Sequence, residues 1–393
     1  MKSLLLRTYT FVFLNDFVLI YPLYAVMFTD HGLSTAQVAA IMAVWSGTVF
    51  VLEIPSGVLA DKMSRRHLMA LGQISRAMGY ALWLFYPGFW GYLAGFLLWG
   101  VKSAVTHGTF EAWFYDELKA RGEAARYAQC YSHARAISFV AILAASGGAS
   151  LAILLGYKFV LAVSVGSGII AGAFVLTLPA APKSCWGSKE ESEETLPYLK
   201  LLKLGLQTAA SDPVILRIMI FAGFVAGLIG TLDEFWPIFA DMAGAANWGI
   251  PLFVGVLSAL QGLAAFQAWR TEGWSNRTFY LWVIGAGTLL MVAAFGMNLW
   301  VLPLIVLGSI IDALVKVVFD ARLQHAIGSE ARATVSSVKG LVIEVFGLFS
   351  LGTFGFVSAS FGAQVAFITM GAVIASGGAI FALRSLMAGR SRS

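Results

Sequence analysis

The chain is poor in charge. Only 12% of its 393 residues are Asp, Glu, Lys or Arg, about half the roughly 25% of a soluble globular domain. Together with 59% hydrophobic residues and a mean hydropathy of +0.80, that shortage excludes a soluble protein. Cysteine is scarcer still: Cys130 and Cys185 are the only two, and no Cys-x-x-Cys occurs. A disulfide framework is thereby excluded. No G-x-x-x-x-G-K-[ST] is present, so nothing in the chain cradles a nucleotide phosphate. H-E-x-x-H and G-x-S-x-G are also missing, and the five histidines show no metal spacing. An enzyme is therefore not expected, nor a cofactor or metal. The net charge of +5 comes from basic residues scattered over many short loops. Nucleic-acid binding needs them on one face, so it is excluded too.

What the chain has is long apolar runs. A helix needs about 20 apolar residues to cross the hydrocarbon core. Twelve segments qualify: 4–27, 36–59, 68–86, 89–112, 127–155, 157–180, 213–240, 248–270, 278–296, 300–320, 335–359 and 363–386. Spanning strands would be about ten residues of alternating polarity, and these runs are longer and continuous. The first run reads as an uncleaved span, because it is too long for a signal peptide and no small-residue cleavage site follows it. The 41 glycines and the 13% aromatic content suit closely packed membrane helices.

Lys and Arg set the orientation. With the N-terminus inside, 20 of the 26 fall on the cytoplasmic side and Lys158 alone falls outside. The other five, Arg76, Lys102, Arg135, Lys316 and Lys339, lie within spans. Both termini are then cytoplasmic. The longest polar stretch, 181–212, separates six spans from six, which predicts a bundle over 1–180, a cytoplasmic linker and a bundle over 213–393. Within the linker, "LPYLKLLKLGLQ" can form an amphipathic surface helix. The halves repeat weakly. "YPLYAVM" at 21–27 matches "WPIFADM" at 236–242, "DKMSRR" at 61–66 matches "EGWSNR" at 272–277, and "GEAAR" at 122–126 resembles "SEARA" at 329–333. The offsets are nearly constant, as in a duplicated six-helix unit.

The turn after the second span carries "GVLADKMSRR", Gly57 to Arg66. It resembles the G-x-L-a-D-r-x-G-r-[kr] signature of the major facilitator superfamily. Gly57, Leu59, Asp61, Arg65 and Arg66 match. Ser64 stands where the family usually has Gly, a substitution expected to re-shape the turn if it needs positive φ. The resemblance, which covers the whole chain, implies an all-α membrane protein with 12 transmembrane helices in two pseudo-symmetric six-helix bundles. It also implies a monomer in the lipid bilayer that moves a small-molecule substrate by alternating access. A multi-pass protein of the bacterial inner membrane is expected. By analogy with the family's charge relay, Arg65 pairs with Asp116, or with Glu117, in "EAWFYDELK". Gly57, Asp61, Arg65, Arg66, Glu111 and Asp116 then form a cytoplasmic gate. The bland alternative is plain positive-inside charge.

Charges inside the spans cost roughly 2.5–3.5 kcal/mol each on insertion scales, so each needs a reason. Asp16 sits mid-span before Pro22, which can break the helix and free carbonyls. It is a proton carrier, a substrate counter-charge or a structural hydrogen-bond partner. Glu53 is a proton site or a brace for the loop. Lys102 is the cation best placed for an anionic substrate or for Asp16. His107 is a functional or a packing histidine, and His133 and Arg135 lie in the fifth span. That span has the Gly-Gly of the family's antiporter motif but not its Pro. One of Asp233 and Glu234 is a second proton or substrate site, or an outer-gate contact. Asp312, Lys316 and Asp320 fall on one helix stripe and read as an ion-pair ladder. Glu344 is the deeper charge of the eleventh span. Tyr21, Tyr24, Trp99 and Trp236 either line a pocket or pack. Buried carboxylates and the absence of a nucleotide motif favour protons as the energy source. A proton-coupled exporter of a drug or metabolite leads, with a proton-coupled importer of a nutrient or siderophore-like anion as the alternative.

Overall fold

The computed structural model describes residues 1–106, 109–179, 207, 211–327 and 332–390, without the side chains of 53–62, 128, 324, 332–334, 336, 337 and 388–390. All regular structure among them is helical. The helices are α1 (Lys2–Asp16), α2 (Tyr24–Asp30), α3 (Thr35–Lys62), α4 (Arg65–Phe85), α5 (Phe89–Thr106), α6 (Thr109–Lys119), α7 (Tyr127–Ala152) and α8 (Tyr157–Val175). After the linker come α9 (Pro213–Leu232), α10 (Trp236–Met242), α11 (Gly249–Gln267), α12 (Asn276–Gly296), α13 (Leu302–Ala326), α14 (Arg332–Phe361) and α15 (Ala363–Arg390). The chain forms two compact units. The first is Met1–Leu33, Ile41–Thr195 and Asn247–Gly255; the second is Ser34–Ala40, Leu196–Ala246 and Val256–Ser393. The linker 181–212, with its expected amphipathic helix, lies outside the described residues apart from 207, 211 and 212.

The twelve apolar runs are helical over most of their described residues, and two are interrupted within them. The first run breaks after Asp16, and Pro22 sits in the turn before α2. Its counterpart in the second unit breaks at Asp233–Phe235, a single 3₁₀ turn, with Pro237 in the first turn of α10. Proline has no N–H to donate and cannot continue a preceding helix. The fourth run is α5 and α6, and it continues to Lys119, beyond the expected end at 112. Asp212 starts α9 by accepting from the Val214 and Ile215 amides at 2.7 and 3.4 Å, with Pro213 at the first helical position.

Nine described helices are long and apolar enough to cross a membrane by length and composition. The runs built on α1, α4 and α5 are not among them. α1 is short, α4 carries Gln73, Ser75 and Arg76 in its middle, and α5 carries Lys102.

Small residues set the packing. In the first unit α4 lies on α8, where a Cβ on Gly168 would come 3.0 Å from that of Ala77. In the second unit α12 lies on α15, and a Cβ on Gly287 would come 2.5 Å from the Gly371 carbonyl oxygen. No Cβ fits there, so glycine at 287 is a condition of the close helix pair.

Ser64 corrects the expectation for its turn. Its φ is −62° with ψ 125°, extended backbone immediately before α4. That conformation needs no glycine, so the departure from the family pattern costs nothing in backbone strain.

Candidate functional site

Two polar clusters lie inside the apolar units, one in each. In the first unit a hydrogen-bond chain crosses from α4 to α1. Arg76 donates through Nη2 to the Gln73 Oε1 at 2.6 Å and to the Asn15 carbonyl at 2.9 Å. Gln73 Nε2 donates to Asn15 Oδ1 at 2.6 Å, and Asn15 Nδ2 donates to Asp16 Oδ1 at 2.6 Å. Two side-chain amides thus link a guanidinium to a carboxylate. The amides alternate donor and acceptor along the chain, which two like-charged groups could not do. Gln73 is fully buried and Arg76 is 4% exposed. Lys102 on α5 lies within electrostatic reach of both Arg76 and Asp16, with its stem against Gly72 of α4. No ion pair joins Lys102 to Asp16 among the described residues. The break after Asp16 ends α1 at the cluster, so the carboxylate sits at a helix terminus rather than along a continuous helix wall.

In the second unit Asp233 occupies the corresponding break. Its Oδ1 accepts from Trp236 Nε1 at 2.8 Å and from Gln261 Nε2 at 3.4 Å. On α13, Lys316 Nζ stands 2.6 Å from Asp312 Oδ2, and the Asp312 side chain is 1% exposed. Lys316 is drawn electrostatically to both Asp312 and Asp233. Its ammonium lies where a Cβ on Gly230 would be, 2.8 Å away, so a side chain at 230 would displace it. Asp312 Oδ1 is buried without a hydrogen-bond partner among the described residues. A cavity of about 20 Å³, room for about one water, lies beside this cluster. Trp236, Gly308 and Ser309 are among its lining residues, and the buried Ser309 hydroxyl has no partner.

The two clusters are related by the internal repeat. Asp16 and Asp233 are 217 residues apart, and Lys102 and Lys316 are 214 apart. Each unit therefore repeats one carboxylate at the break of its first helix and one lysine on its fourth. The additions differ. The first unit adds Arg76 and the second adds Asp312.

At one end of the first unit, Arg65 pairs with Asp116 through Nη1 and Oδ2. Arg121 Nη1 donates to Glu117 Oε2 at 2.5 Å. The carbonyls of the turn just past α8 accept side-chain donors: Thr177 from Arg7 at 3.0 Å, Leu178 from Arg66 at 3.4 Å and Pro179 from Trp113 at 3.0 Å. Cations gathered beyond a helix C-terminus are favoured by its dipole. Glu111 accepts from the Tyr131 hydroxyl at 3.0 Å.

Other expected residues fall elsewhere. Arg135 is exposed on α7, with its guanidinium 6.0 Å from the Phe139 ring. Among the described residues Asp320 makes no ion pair with Lys316, one turn before it; it pairs with Lys339 of the neighbouring α14 instead. Glu234 and Glu344 are half-buried. Tyr24 is a packing residue, 3% exposed among Phe28, Trp83, Phe96 and Trp99. Tyr21 is 40% exposed and meets Trp99 edge-on. Trp236 is buried, bonded to Asp233 and stacked on Phe367. Glu53, Gly57, Asp61 and His107 lie outside the described side chains. Gln73, Arg76, Asn15 and Gln261 were not singled out as site residues. The signal for the first two was available, since Gln73 and Arg76 interrupt an apolar run three residues apart on one helix face.

The sequence matches the Major Facilitator Superfamily profile over residues 8–351. The chain belongs to that superfamily. No curated protein sequence matches it. Solved structures share the fold across the full length. A mutant form of the nucleoside transporter NupG superposes with a TM-score of 0.79 at 16% identity, covering 96% of this chain and 99% of that one. A bacterial homologue of the human lysosomal transporter Spinster, described as inward-facing and unoccupied, gives 0.75 at 16% identity, covering 97% and 96%. A D-xylose-proton symporter gives 0.67 at 12% identity, covering 97% and 96%. The superfamily member is thus a multi-pass membrane transporter, with the helical fold that the sequence predicts.

Proposed function

We propose that the chain is a proton-coupled secondary transporter of a small organic solute, and that Asp233 and Asp312 carry the coupling proton. The observation behind this is the charge balance in the second unit. A buried carboxylate, Asp312, and a half-buried one, Asp233, face the single ammonium of Lys316, so the three groups carry one net negative charge. An uncompensated charge in the membrane interior is costly, and one proton removes it. Lys316 then alternates between two carboxylates according to which holds the proton. Solute binding that draws on the same groups ties proton release to solute movement, as alternating access requires.

Export is the leading direction, supported by the apolar, aromatic-rich spans that suit an amphipathic solute. Import is the second reading, supported by the similar fold described as a D-xylose-proton symporter. The Arg65–Asp116 pair and Arg66 on the α8 carbonyls act in this scheme as a cytoplasmic gate, with both termini inside and the bilayer that of a bacterial inner membrane. The chain works as a monomer.

The test uses inside-out vesicles acidified by respiration and a panel of chemically diverse compounds. Compound-dependent loss of the pH gradient that disappears in Asp233→Asn is expected for export. No loss of the gradient with any compound of the panel, together with solute uptake in right-side-out vesicles, reverses the direction. A compound response that persists in both Asp233→Asn and Asp312→Asn overturns the proton assignment.

A further inference from the structure

The first-unit cluster differs from its repeat in the sign of what is left over. Asp16 contributes one negative charge, while Arg76 and Lys102 contribute two positive ones, all within mutual electrostatic reach. No other charged side chain takes part in the hydrogen-bond chain that holds Arg76. The position of Asp312 in the second unit corresponds, 214 residues earlier, to Leu98. The carboxylate that balances the second unit therefore has no equivalent here.

The donors are also incompletely used. Arg76 is 4% exposed, and its Nε is buried without a hydrogen-bond partner. Lys102 has no hydrogen bond or ion pair among the described residues. One turn beyond Arg76, Tyr80 is 1% exposed, and its hydroxyl is buried without a partner, close enough to Arg76 to feel its charge. Buried donors are nearly always paired in a finished core. Two buried donors without a partner among the described residues, beside the half-buried ammonium of Lys102 and one surplus positive charge, are the complement of a missing acceptor that carries one negative charge. A carboxylate fits that description: it is a monoanion, it accepts on two oxygens, and it matches the planar fork of a guanidinium.

We propose that Arg76, Lys102 and Tyr80, backed by Asn15, Asp16 and Gln73, form a subsite for the carboxylate of the transported solute. Asp16 is the positioning residue. Its charge holds the two cations together while the subsite is empty, and the two-amide chain fixes Arg76 so that its remaining N–H groups are presented. The solute carboxylate then competes with Asp16 for Lys102. The proposal rests on the transport reading for the word solute, but not for the anion site itself.

The experiment is thermal unfolding of the purified full chain in detergent, titrated with acetate, benzoate and 1-naphthoate, each against its neutral primary amide, and with inorganic phosphate. Stabilisation by at least one carboxylate and not by its amide is expected. Lys102→Gln should weaken the apparent affinity by about tenfold or more, the loss expected for one charge-assisted hydrogen bond. Asp16→Asn should tighten it, because the competing carboxylate is gone. A merely structural cluster would lower the unfolding temperature in Asp16→Asn without a gain in affinity. Arg76→Gln serves as a further variant where it folds; Lys102→Gln, which removes no hydrogen bond of the resting protein, keeps the test valid where Arg76→Gln does not. Equal stabilisation by acids and amides, stabilisation by phosphate alone, or no response to any anion overturns the carboxylate assignment. If the vesicle assay still reports proton-linked movement of a neutral or cationic compound in that case, the transport reading stands and only the subsite fails. An anion response without transport has the opposite meaning.

Discussion

At the scale of single residues, the decisive feature is which charges have partners. Lys316 serves two carboxylates, so removing it does more than removing either of them. Lys316→Met leaves Asp312 and Asp233 facing each other, and is expected to cost about 1–3 kcal/mol, the range for leaving a buried charged group without its partner when the lost partner is itself partly solvated. Adding Asp312→Asn to that variant should recover most of the loss, as coupled neighbours do. Denaturation of the purified chain in detergent measures both. Equal and additive losses would mean that the two groups do not interact. Ser64 gives a prediction of the opposite kind. Its backbone angles suit any residue and its side chain makes no cap hydrogen bond, so Ser64→Gly should change stability by only a few tenths of a kcal/mol and leave transport intact. The sequence suggested a re-shaped turn there, because it shows residue types and not φ.

At the scale of helices, the elements that read worst as spans are the informative ones. The runs built on α1, α4 and α5 fall short in length or hydropathy, and they carry Asp16, Arg76 and Lys102. Polarity that weakens a hydropathy signal is here the polarity that builds a buried cluster. The breaks in the first and seventh apolar runs were legible from Pro22 and Pro237, and the carboxylates beside them from their cost in lipid. The hydrogen-bond chain through Gln73 and Asn15 was not, since uncharged amides carry no alarm in a composition count. Of the ladder expected on α13 the Asp312–Lys316 rung is present, but the Asp320 rung was not legible, because a shared stripe on one helix says nothing of the neighbour. Asp320 lies close to α14, and Lys339 takes it. Helix contact itself is testable at Gly287. Gly287→Ala places a methyl 2.5 Å from the Gly371 carbonyl oxygen and should cost about 1–3 kcal/mol. Gly285→Ala meets nothing within 4 Å and should be neutral or slightly stabilising. Thermal unfolding of the two variants side by side decides whether α12 and α15 are held as closely as described.

At the scale of the whole molecule, duplication explains both the likeness and the difference of the two units. Each inherits a carboxylate at a broken first helix and a lysine on the fourth. One extra arginine makes the first site cationic, and one extra aspartate makes the second anionic. A duplicated six-helix unit was legible from three short matches, and the superfamily from one turn. The division of labour proposed here was not, because it depends on which charges meet inside each bundle. The most direct test uses proteoliposomes holding the pure chain and a solute that it moves. A pH gradient is imposed while the membrane potential is clamped. The account predicts that the gradient drives the solute to accumulate against its concentration in the wild type, and that Asp233→Asn only equilibrates it. Accumulation in Asp233→Asn equal to that of the wild type, or wild-type movement indifferent to the pH gradient, would contradict it.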